Sequence, residues 1–360
     1  MNEENSCPHG IFCVTERKGN HMHMADALIT PVVGGVMMAV SAGAIGYSVK
    51  KVKEELDDKK VPLMGVMGAF VFAGQMINFT IPATGSSGHI GGGLLLAALL
   101  GPYAAFLVIS AVLVIQALFF ADGGLLALGC NIFNMGFFAC FIAYPFIYKQ
   151  IIKKSYTPKR ITIGAIVAVV AGLQLGAFSV VVQTLISGIT ELPFASFVLL
   201  MQPIHLAIGL VEGIATAAVL CFVLKSSPTL LDGNVAVERE GAKTRRKTVP
   251  ILLVAALIIG GFVSWFASGY PDGLEWSMEA VAGTAELESE GSAYHAAAGI
   301  QKNTAFLPDY GFKDGEESSA LVGTSVSGMI GGGITLSVAC LAGFIITRFR
   351  KKAKCNECQN

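Results

Sequence analysis

The sequence predicts an all-α polytopic membrane protein, with a seven-helix bundle followed by a two-helix hairpin. Its mean hydropathy is +0.64. Only 14% of its 360 residues are charged, whereas soluble domains carry roughly 25%. The window from Val61 to Ala121 contains no Asp, Glu, Lys or Arg. Because one transmembrane helix needs about 20 apolar residues, that window alone accommodates two or three passes.

Nine apolar segments follow one another along the chain, and we interpret each as one pass through the bilayer. The third, Ile90–Leu100, is too short to span alone and precedes Gly101-Pro102, which breaks a helix. We therefore expect a short or tilted helix there. The nine predicted passes are Leu28–Val49, Val61–Ile81, Ile90–Leu100, Tyr103–Phe120, Leu125–Tyr148, Ile161–Ile189, Pro203–Leu224, Val249–Ala267 and Leu321–Thr347.

Composition also predicts the domain organisation and the connectors. We expect a small, Gly-rich loop at Pro82–Gly93, a mixed connector at Thr190–Gln202 and a long polar segment at Ser268–Ser319 between the last two passes. The predicted parts of the chain are an N-terminal extension (1–21), a first transmembrane domain (22–225), a cytoplasmic linker (226–247), a second module with two transmembrane helices (248–354) and a tail (355–360).

The basic residues predict the orientation, because cytoplasmic loops of membrane proteins are enriched in Lys and Arg. With the N-terminus outside and the C-terminus in the cytoplasm, 21 Lys and Arg residues fall on the inner side and four on the outer side. This arrangement puts residues 1–27, the loop that carries His89 and Ser268–Ser319 together on the outer side of the cell membrane. The 25 basic residues equal the 25 acidic ones, so net charge indicates no nucleic-acid partner.

Two histidines on that outer side predict a metal site. His23 precedes the first pass, and His89 lies in the small-residue loop. If the mature chain begins at Met22, then its amine, the backbone nitrogen of His23 and the His23 imidazole chelate one ion, with His89 as the fourth nitrogen. Four nitrogens in a plane suit Ni(II) or Cu(II), with Co(II) a near neighbour. The alternative is that His21-Met22-His23 is a chance polar start and His89 an ordinary loop histidine.

Residues 1–21 bear on this site because they precede the amine that the site needs. They lack the positive start and the apolar core of about 7–15 residues that mark a secretory signal. We therefore expect either a disordered tail or a start codon assigned too early, with Met22 as the alternative start. If the extension stays attached, the Met22 amine is not a ligand.

Polar side chains inside the predicted passes are the next candidates. His205 and Glu212 are seven positions apart in one pass and share a helix face. A carboxylate inside a membrane helix indicates function by default, but a hydrogen-bonded pair that locks two helices is the alternative. Neutral polar residues are interpreted as helix packing or as support for the metal site. The supporting and packing candidates are Gln75, Asn78, Ser87, Asn131, Asn134, His205 and Glu212.

Two common motifs do not occur in the chain. It has no G-x-x-x-x-G-K-[ST] sequence and hence no P-loop of its own, and it has no H-E-x-x-H sequence of a zinc protease. We therefore expect a transport component and not an enzyme, with no resident cofactor. If ATP drives the transport, another subunit must bind it.

Two stretches near the predicted site carry a family resemblance, Met22–Leu28 and Ser86-Ser87-Gly88-His89. Supporting stretches are Gln75–Phe79, Asp122-Gly123-Gly124 and Gly129–Asn134. Over about residues 22–225, the chain resembles the cobalt/nickel substrate-specific components of energy-coupling factor (ECF) transporters, the CbiM/NikM family. The later Pro271-Asp272-Gly273-Leu274-Glu275 resembles the PDGLE signature of the companion CbiN/NikN-type subunit, fused here.

The resemblance implies a seven-helix, S-component-like fold in an ATP-driven importer. It implies that the Met22 amine, His23 and His89 bind the transported ion, Co(II) or Ni(II). It also implies two kinds of protein partner besides the membrane lipid: a transmembrane coupling protein (CbiQ/NikQ-like) and cytoplasmic ATPase subunits (CbiO/NikO-like). Family members of this type begin at the Met-His pair, whereas this chain begins 21 residues earlier.

Two other hypotheses compete with the importer component. A stand-alone secondary transporter would use a proton or ion gradient and would need a relay, for which His205 and Glu212 are the candidates. A membrane scaffold would bind no ligand at all. Within the importer hypothesis, the residues leave both cobalt and nickel open.

Overall fold

The structure is a computed structural model that describes residues 23–55, 60–189, 192–231, 241–284, 287, 290–313 and 320–357. The predicted extension (1–21) and the ligand candidate Met22 lie outside the described residues. The main helices are α1 (Pro31–Glu55), α2 (Val61–Gln75), α3 (Gly93–Leu100), α4 (Pro102–Phe119), α5 (Leu128–Ile152), α6 (Pro158–Ser187), α7 (Phe194–Ser226), α8 (Gly241–Gly261), α9 (Gly273–Ala282), α10 (Ser292–Thr304) and α11 (Ala320–Glu357).

Each predicted pass contains a helix, and the expected all-α polytopic membrane fold is confirmed. Within the described residues, six helices are long and apolar enough to cross a bilayer: α1, α4, α5, α6, α7 and α11. Two shorter apolar helices, Val61–Gln75 and Lys247–Gly261, stand at the second and eighth predicted passes. The third predicted pass contains α3, whose 8 residues extend over about 12 Å.

α7 begins earlier than the sequence predicts. The expected start was Pro203, but the helix starts at Phe194, so the prediction of a connector over Thr190–Gln202 is wrong for the part from Phe194 onward. In a bilayer a helix satisfies the backbone internally, and membrane helices therefore tolerate an interior proline. Beside this proline, Gln174 of α6 donates to the Gln202 carbonyl at 2.9 Å, and Gln202 donates to the Gln174 carbonyl at 3.3 Å.

The small-residue loop is a β-ribbon. Strand β1 (Phe79–Ile81) pairs antiparallel with strand β2 (Ser86–Gly88). The predicted second pass, Val61–Ile81, therefore ends as a helix at Gln75 and continues into a strand. After β2 the chain enters α3 through Gly92, whose φ of 77° is left-handed and favours glycine.

Small residues let the helices approach closely. Gly209 and Gly213 of α7 face α6, and a Cβ added at Gly213 would lie 2.7 Å from Ile166 Cα. Gly260 of α8 faces Gly328 of α11 in the same way, with 3.3 Å from an added Cβ to the opposite backbone. Such close packing of small residues is typical of helices in membranes, because no hydrophobic driving force brings them together there and association depends on van der Waals contact.

The second module packs against the first along α2. A Cβ added at Gly68 would lie 3.1 Å from Thr335 and 3.7 Å from Ala339, both of α11. Thr335 and Ala339 are buried. Since α2 ends at Gln75, just before the β-ribbon, this contact brings the second module beside the loop that carries His89.

Candidate metal site

The chain around His23 is fixed by backbone contacts with α5. Asn131 lies in the first turns of that helix. The Met24 N–H donates to Asn131 Oδ1 at 3.1 Å, and Asn131 Nδ2 donates to the Met24 carbonyl at 3.1 Å. The Gly124 N–H donates to the same carbonyl at 3.1 Å. Because Met24 is bound at both its N–H and its carbonyl, the position of the neighbouring His23 is defined.

Asp26 ties the same segment to the start of α5. Its carboxylate accepts a hydrogen bond from the Ala127 N–H at 2.9 Å. The first N–H groups of a helix have no partner within it, and a carboxylate is favourable there. Burial raises the pKa of Asp26, while the N–H groups of Ala127, Leu126 and Leu125 oppose the rise.

The His23 ring is buried, with 5% exposed. Its Nε2 lies 3.0 Å from Gln116 Oε1 and 3.8 Å from Asp122 Oδ2. An amide oxygen only accepts, so Nε2 carries the hydrogen and Nδ1 of the neutral ring carries the lone pair. Metal-binding histidines usually donate their second ring N–H to such a partner, which sets the tautomer and the ring orientation.

The segment after His89 is held by two predicted supporting residues from different helices. Gln75 at the end of α2 donates to the Gly91 carbonyl at 2.9 Å. Glu212 in α7 accepts from the Gly92 N–H at 2.9 Å. Both side chains are buried, with 0% and 4% exposed. They therefore fix the chain between His89 and α3.

His23 and His89 come together at one end of the bundle, with ring centroids 5.4 Å apart and ring planes at 68°. A cavity of about 110 Å³ opens beside them, lined also by His205, Glu212 and Asp272. Among the described residues, no group of three or more His, Cys, Asp or Glu side chains is arranged to hold a metal ion. Within the described part of the chain, His23 and His89 are the predicted ligand side chains that the structure brings together.

The PDGLE segment of the second module binds directly to the β-ribbon. The Ser87 N–H donates to the Pro271 carbonyl at 2.7 Å, and the Ser87 hydroxyl donates to the Tyr270 carbonyl at 2.8 Å. The Ser268 N–H donates to the Asn78 carbonyl at 2.7 Å. Asn78 and Ser87 were both predicted as supporting residues, and both connect the two modules. Asn78 does so at the start of the ribbon, and Ser87 does so two residues before His89.

Asp272 begins α9 at the same junction. Its carboxylate accepts from the N–H groups of Leu274 and Glu275, each at 2.8 Å, and the Glu275 side chain accepts in return from the Asp272 N–H. This capping box satisfies N–H groups at the helix start. It also orients α9, and with it the chain that binds Ser87.

Three residues of the second module make four further hydrogen bonds to the first module. Tyr310 donates to Asp122 Oδ2 at 2.6 Å. Gln301 of α10 donates to the carbonyls of Gly123 at 2.8 Å and Ala117 at 3.0 Å. Tyr294 of α10 donates to the Ile29 carbonyl at 2.8 Å. The segment of the second module between α8 and α11 therefore packs over the turn that carries Asp122.

Two further predicted residues, Asn134 and His205, form hydrogen bonds between or within helices. Asn134 and Gln183 exchange hydrogen bonds at 2.9 and 3.0 Å, which join α5 to α6. His205 donates through Nδ1 to the Met201 carbonyl at 2.7 Å, within its own helix. Asn134 and His205 line the cavity, but these hydrogen bonds are to Gln183 and Met201 and not to the two imidazoles.

Sequence reasoning missed three residues around His23. Gln116 is the one polar amide in the apolar segment Tyr103–Phe120, and such a residue in a membrane helix is itself a signal. Asp122 was named only within a short stretch that supports the family resemblance. Tyr310 has no local signal, because its contact with Asp122 depends on the packing of the two modules.

Two family models match the chain. A family model for the cobalt uptake substrate-specific transmembrane region, CbiM, matches residues 23–230. The chain belongs to the CbiM family. A second family model, the PDGLE domain, matches residues 246–348 of this CbiM-family chain, so a CbiM/NikM-type region is fused to a CbiN/NikN-type module.

Relatives of this CbiM-family chain are named as transport proteins. One, named as a fused nickel transport protein NikMN of Archaeoglobus fulgidus, is 30% identical over 92% of this chain and 100% of its own length. The cobalt transport protein CbiM of Geobacter sulfurreducens is 29% identical over 67% of this chain and 72% of its own length. The expectation of a transport component rather than an enzyme is confirmed.

A solved structure is also similar. The crystal structure of a truncated transition metal transporter has 32% identity and a TM-score of 0.50, covering 57% of this chain and 99% of that one.

Proposed function

We propose that this chain is the metal-capturing membrane component of an ATP-driven importer for cobalt or nickel ions. The observation that carries the proposal is the approach of His23 and His89, with ring centroids 5.4 Å apart. That spacing suits two imidazoles on one ion, where each metal–nitrogen bond is about 2 Å. The names of the relatives, for nickel and for cobalt transport, support the class of ion.

The tautomer of His23 supports a chelate with its own backbone. Since Nε2 donates to Gln116, the lone pair is on Nδ1, the ring nitrogen nearer to the backbone of the same residue. Nδ1, the His23 backbone nitrogen and the Met22 amine then form fused rings around one ion, and His89 supplies a fourth nitrogen. Four nitrogens in a plane favour Ni(II), with Co(II) close behind. The proposal needs a mature chain that begins at Met22.

Import requires partners and an orientation. A CbiQ/NikQ-like coupling protein in the membrane and CbiO/NikO-like ATPases in the cytoplasm would supply the energy, since the sequence contains no P-loop. The excess of Lys and Arg on one side of the predicted passes supports an outer N-terminus and an outer metal site.

Intact mass and metal content, measured on the same purified sample, test the proposal. We expect a chain that begins at Met22 with a free amine to bind one Ni(II) or Co(II). His89→Ala should abolish tight binding because it removes one of four ligands. His295→Ala is the matched control, since His295 is an exposed histidine of α10 and should leave binding unchanged. A chain that keeps residues 1–21 and loads metal normally, or a His89→Ala variant that does so, would refute the proposed site.

A further inference from the structure

Tyr310, in the second module, reaches His23 through Asp122. Its hydroxyl donates to Asp122 Oδ2 at 2.6 Å, and that oxygen lies 3.8 Å from His23 Nε2. The three residues are 9%, 2% and 5% exposed, so the whole path is shielded from water. We infer that Tyr310 is a positioning residue for metal binding: its phenol fixes the Asp122 carboxylate, which with Gln116 holds the His23 ring so that Nδ1 faces the ion. The inference rests on the proposed function.

The backbone at both ends of this contact is unusual. Ala121, just before Asp122, has a φ of 54°, and Asp309 and Tyr310 have φ values of 49° and 59°. Positive φ is uncommon for residues other than glycine. Strained backbone of this kind persists only where the surrounding structure determines it, and it clusters at functional sites. Two unusual turns, one from each module, thus meet in a single hydrogen bond.

Aromatic packing fixes the phenol ring independently of its hydroxyl. Tyr310 stacks on Phe120 with centroids 5.0 Å apart and planes at 19°, and it meets Phe72 edge-on at 6.3 Å. The ring therefore remains in place if the hydroxyl is removed. Tyr310→Phe consequently tests the hydrogen bond to Asp122 and leaves the packing between the modules intact.

The phenol acts as a donor to Asp122. Burial first, and then the charge of Asp122, raises the pKa of Tyr310 well above its ordinary value. The hydroxyl keeps its proton at neutral pH and donates the hydrogen bond, because an ionised carboxylate is only a hydrogen-bond acceptor. This hydrogen bond, together with the Gln301 contacts to the backbone on either side of the turn, limits the positions that Asp122 can take beside His23.

A competing explanation is that Tyr310 only helps to join the modules. Tyr294 provides the matched control, because its hydroxyl also crosses between the modules, to the Ile29 carbonyl at 2.8 Å. The Ile29 carbonyl lies just before α1 and not in the turn that carries Asp122. If module docking were the whole role, Tyr294→Phe and Tyr310→Phe would weaken metal binding equally.

The experiment uses the full-length protein with a free Met22 amine, reconstituted in lipid nanodiscs. Ni(II) affinity is measured by calorimetry for the wild type, Tyr310→Phe, Tyr294→Phe and Asp122→Asn. We expect Tyr310→Phe and Asp122→Asn each to lower the affinity about 10–100-fold, the usual cost of losing an outer partner of a metal-binding histidine. Tyr294→Phe should bind like the wild type. At saturating metal, the visible absorption of bound Ni(II) should shift in Tyr310→Phe and stay unchanged in Tyr294→Phe.

The outcomes separate this inference from the function on which it rests. A wild-type chain that binds neither Ni(II) nor Co(II) refutes the proposed function and this inference with it. If the wild type binds metal, wild-type affinity and spectrum in Tyr310→Phe refute the positioning role alone. Equal losses in both tyrosine variants do so as well. If Tyr310→Phe does not fold, Asp122→Asn decides the question, because unchanged affinity there removes the link to His23.

Discussion

Asn131 and Met24 form a two-point backbone contact, with the Met24 N–H and carbonyl both bonded to one side-chain amide at 3.1 Å. The side-chain amide accepts from the N–H and donates to the carbonyl of the same residue, as a neighbouring β-strand does. A residue inside α5 therefore fixes the segment that carries His23. The chain just after His89 is fixed separately, because Gln75 donates to the Gly91 carbonyl and Glu212 accepts from the Gly92 N–H. The two imidazoles therefore approach each other because helices far apart in the chain each hold one of them.

We expect Asn131→Ala to weaken Ni(II) binding at least tenfold, since partners that orient ligands contribute about that much. It should also lower the free energy of unfolding by about 1–3 kcal/mol, because the buried Met24 groups lose their partner. Calorimetric titration and thermal unfolding check both effects. Asn134→Ala, one turn further along α5, loses two comparable bonds to Gln183. It should lose stability but keep its metal affinity, and an equal loss of affinity would contradict the role of Asn131.

Glu212 separates the two transport hypotheses. Glu212→Gln keeps an oxygen that accepts from the Gly92 N–H, so a supporting role for Glu212 predicts nearly normal metal uptake. A proton relay predicts that Glu212→Gln abolishes uptake, because an amide cannot carry a proton. Glu212→Ala should destabilise the loop by about 1–3 kcal/mol, since it leaves a buried N–H without its acceptor. Uptake of radioactive nickel by cells with each variant distinguishes the alternatives.

Asp272 should control the order of the PDGLE segment. Asp272→Ala removes the helix cap and should cost about 0.5–2 kcal/mol, whereas Asp272→Asn retains a good capping residue. Because Pro271 binds Ser87, we expect faster amide hydrogen exchange both in Gly273–Ala282 and in the β-ribbon of the alanine variant. Exchange measured by mass spectrometry checks this. Fast exchange in α9 with unchanged exchange in the β-ribbon would show that the order of the ribbon does not depend on the order of α9.

Asp26 predicts a pH dependence. Its pKa in the folded protein is raised by burial, so its protonated form favours the folded state. The stability from this group is present below the unfolded pKa of about 4 and is lost as pH rises through the higher folded value. Asp26→Asn should remove this dependence and still accept from the Ala127 N–H. The test is hydrogen exchange of the Ala127 amide between pH 4 and pH 7, corrected for the intrinsic exchange rate, in the wild type and in Asp26→Asn. Identical pH profiles in the two proteins would contradict the prediction.

The outline of the fold was predictable from single residues and short runs. The absence of charge between Val61 and Ala121 marks buried or lipid-facing chain, and the lone carboxylate of Glu212 stands out within its pass. The start of α7 was not predictable, because Pro203 ends a helix in water, where the backbone has other partners, but not in lipid. The β-ribbon was missed for a related reason. The apolar residues of β1 were interpreted as the end of the second pass, Gly88 of β2 has a low preference for strands, and part of the ribbon's support comes from Pro271 in the other module.

By itself, the sequence determined the membrane class, the order of the passes and the two histidines that could share an ion, because lipid burial and metal chemistry both restrict residue types locally. The tertiary structure alone decided what surrounds those histidines. Gln116, Asp122 and Tyr310 gather at the His23 ring from two helix ends and a second module. Hydrogen bonds between such distant segments depend on how the helices and modules pack. They leave no periodicity or residue spacing in the sequence from which they could be predicted.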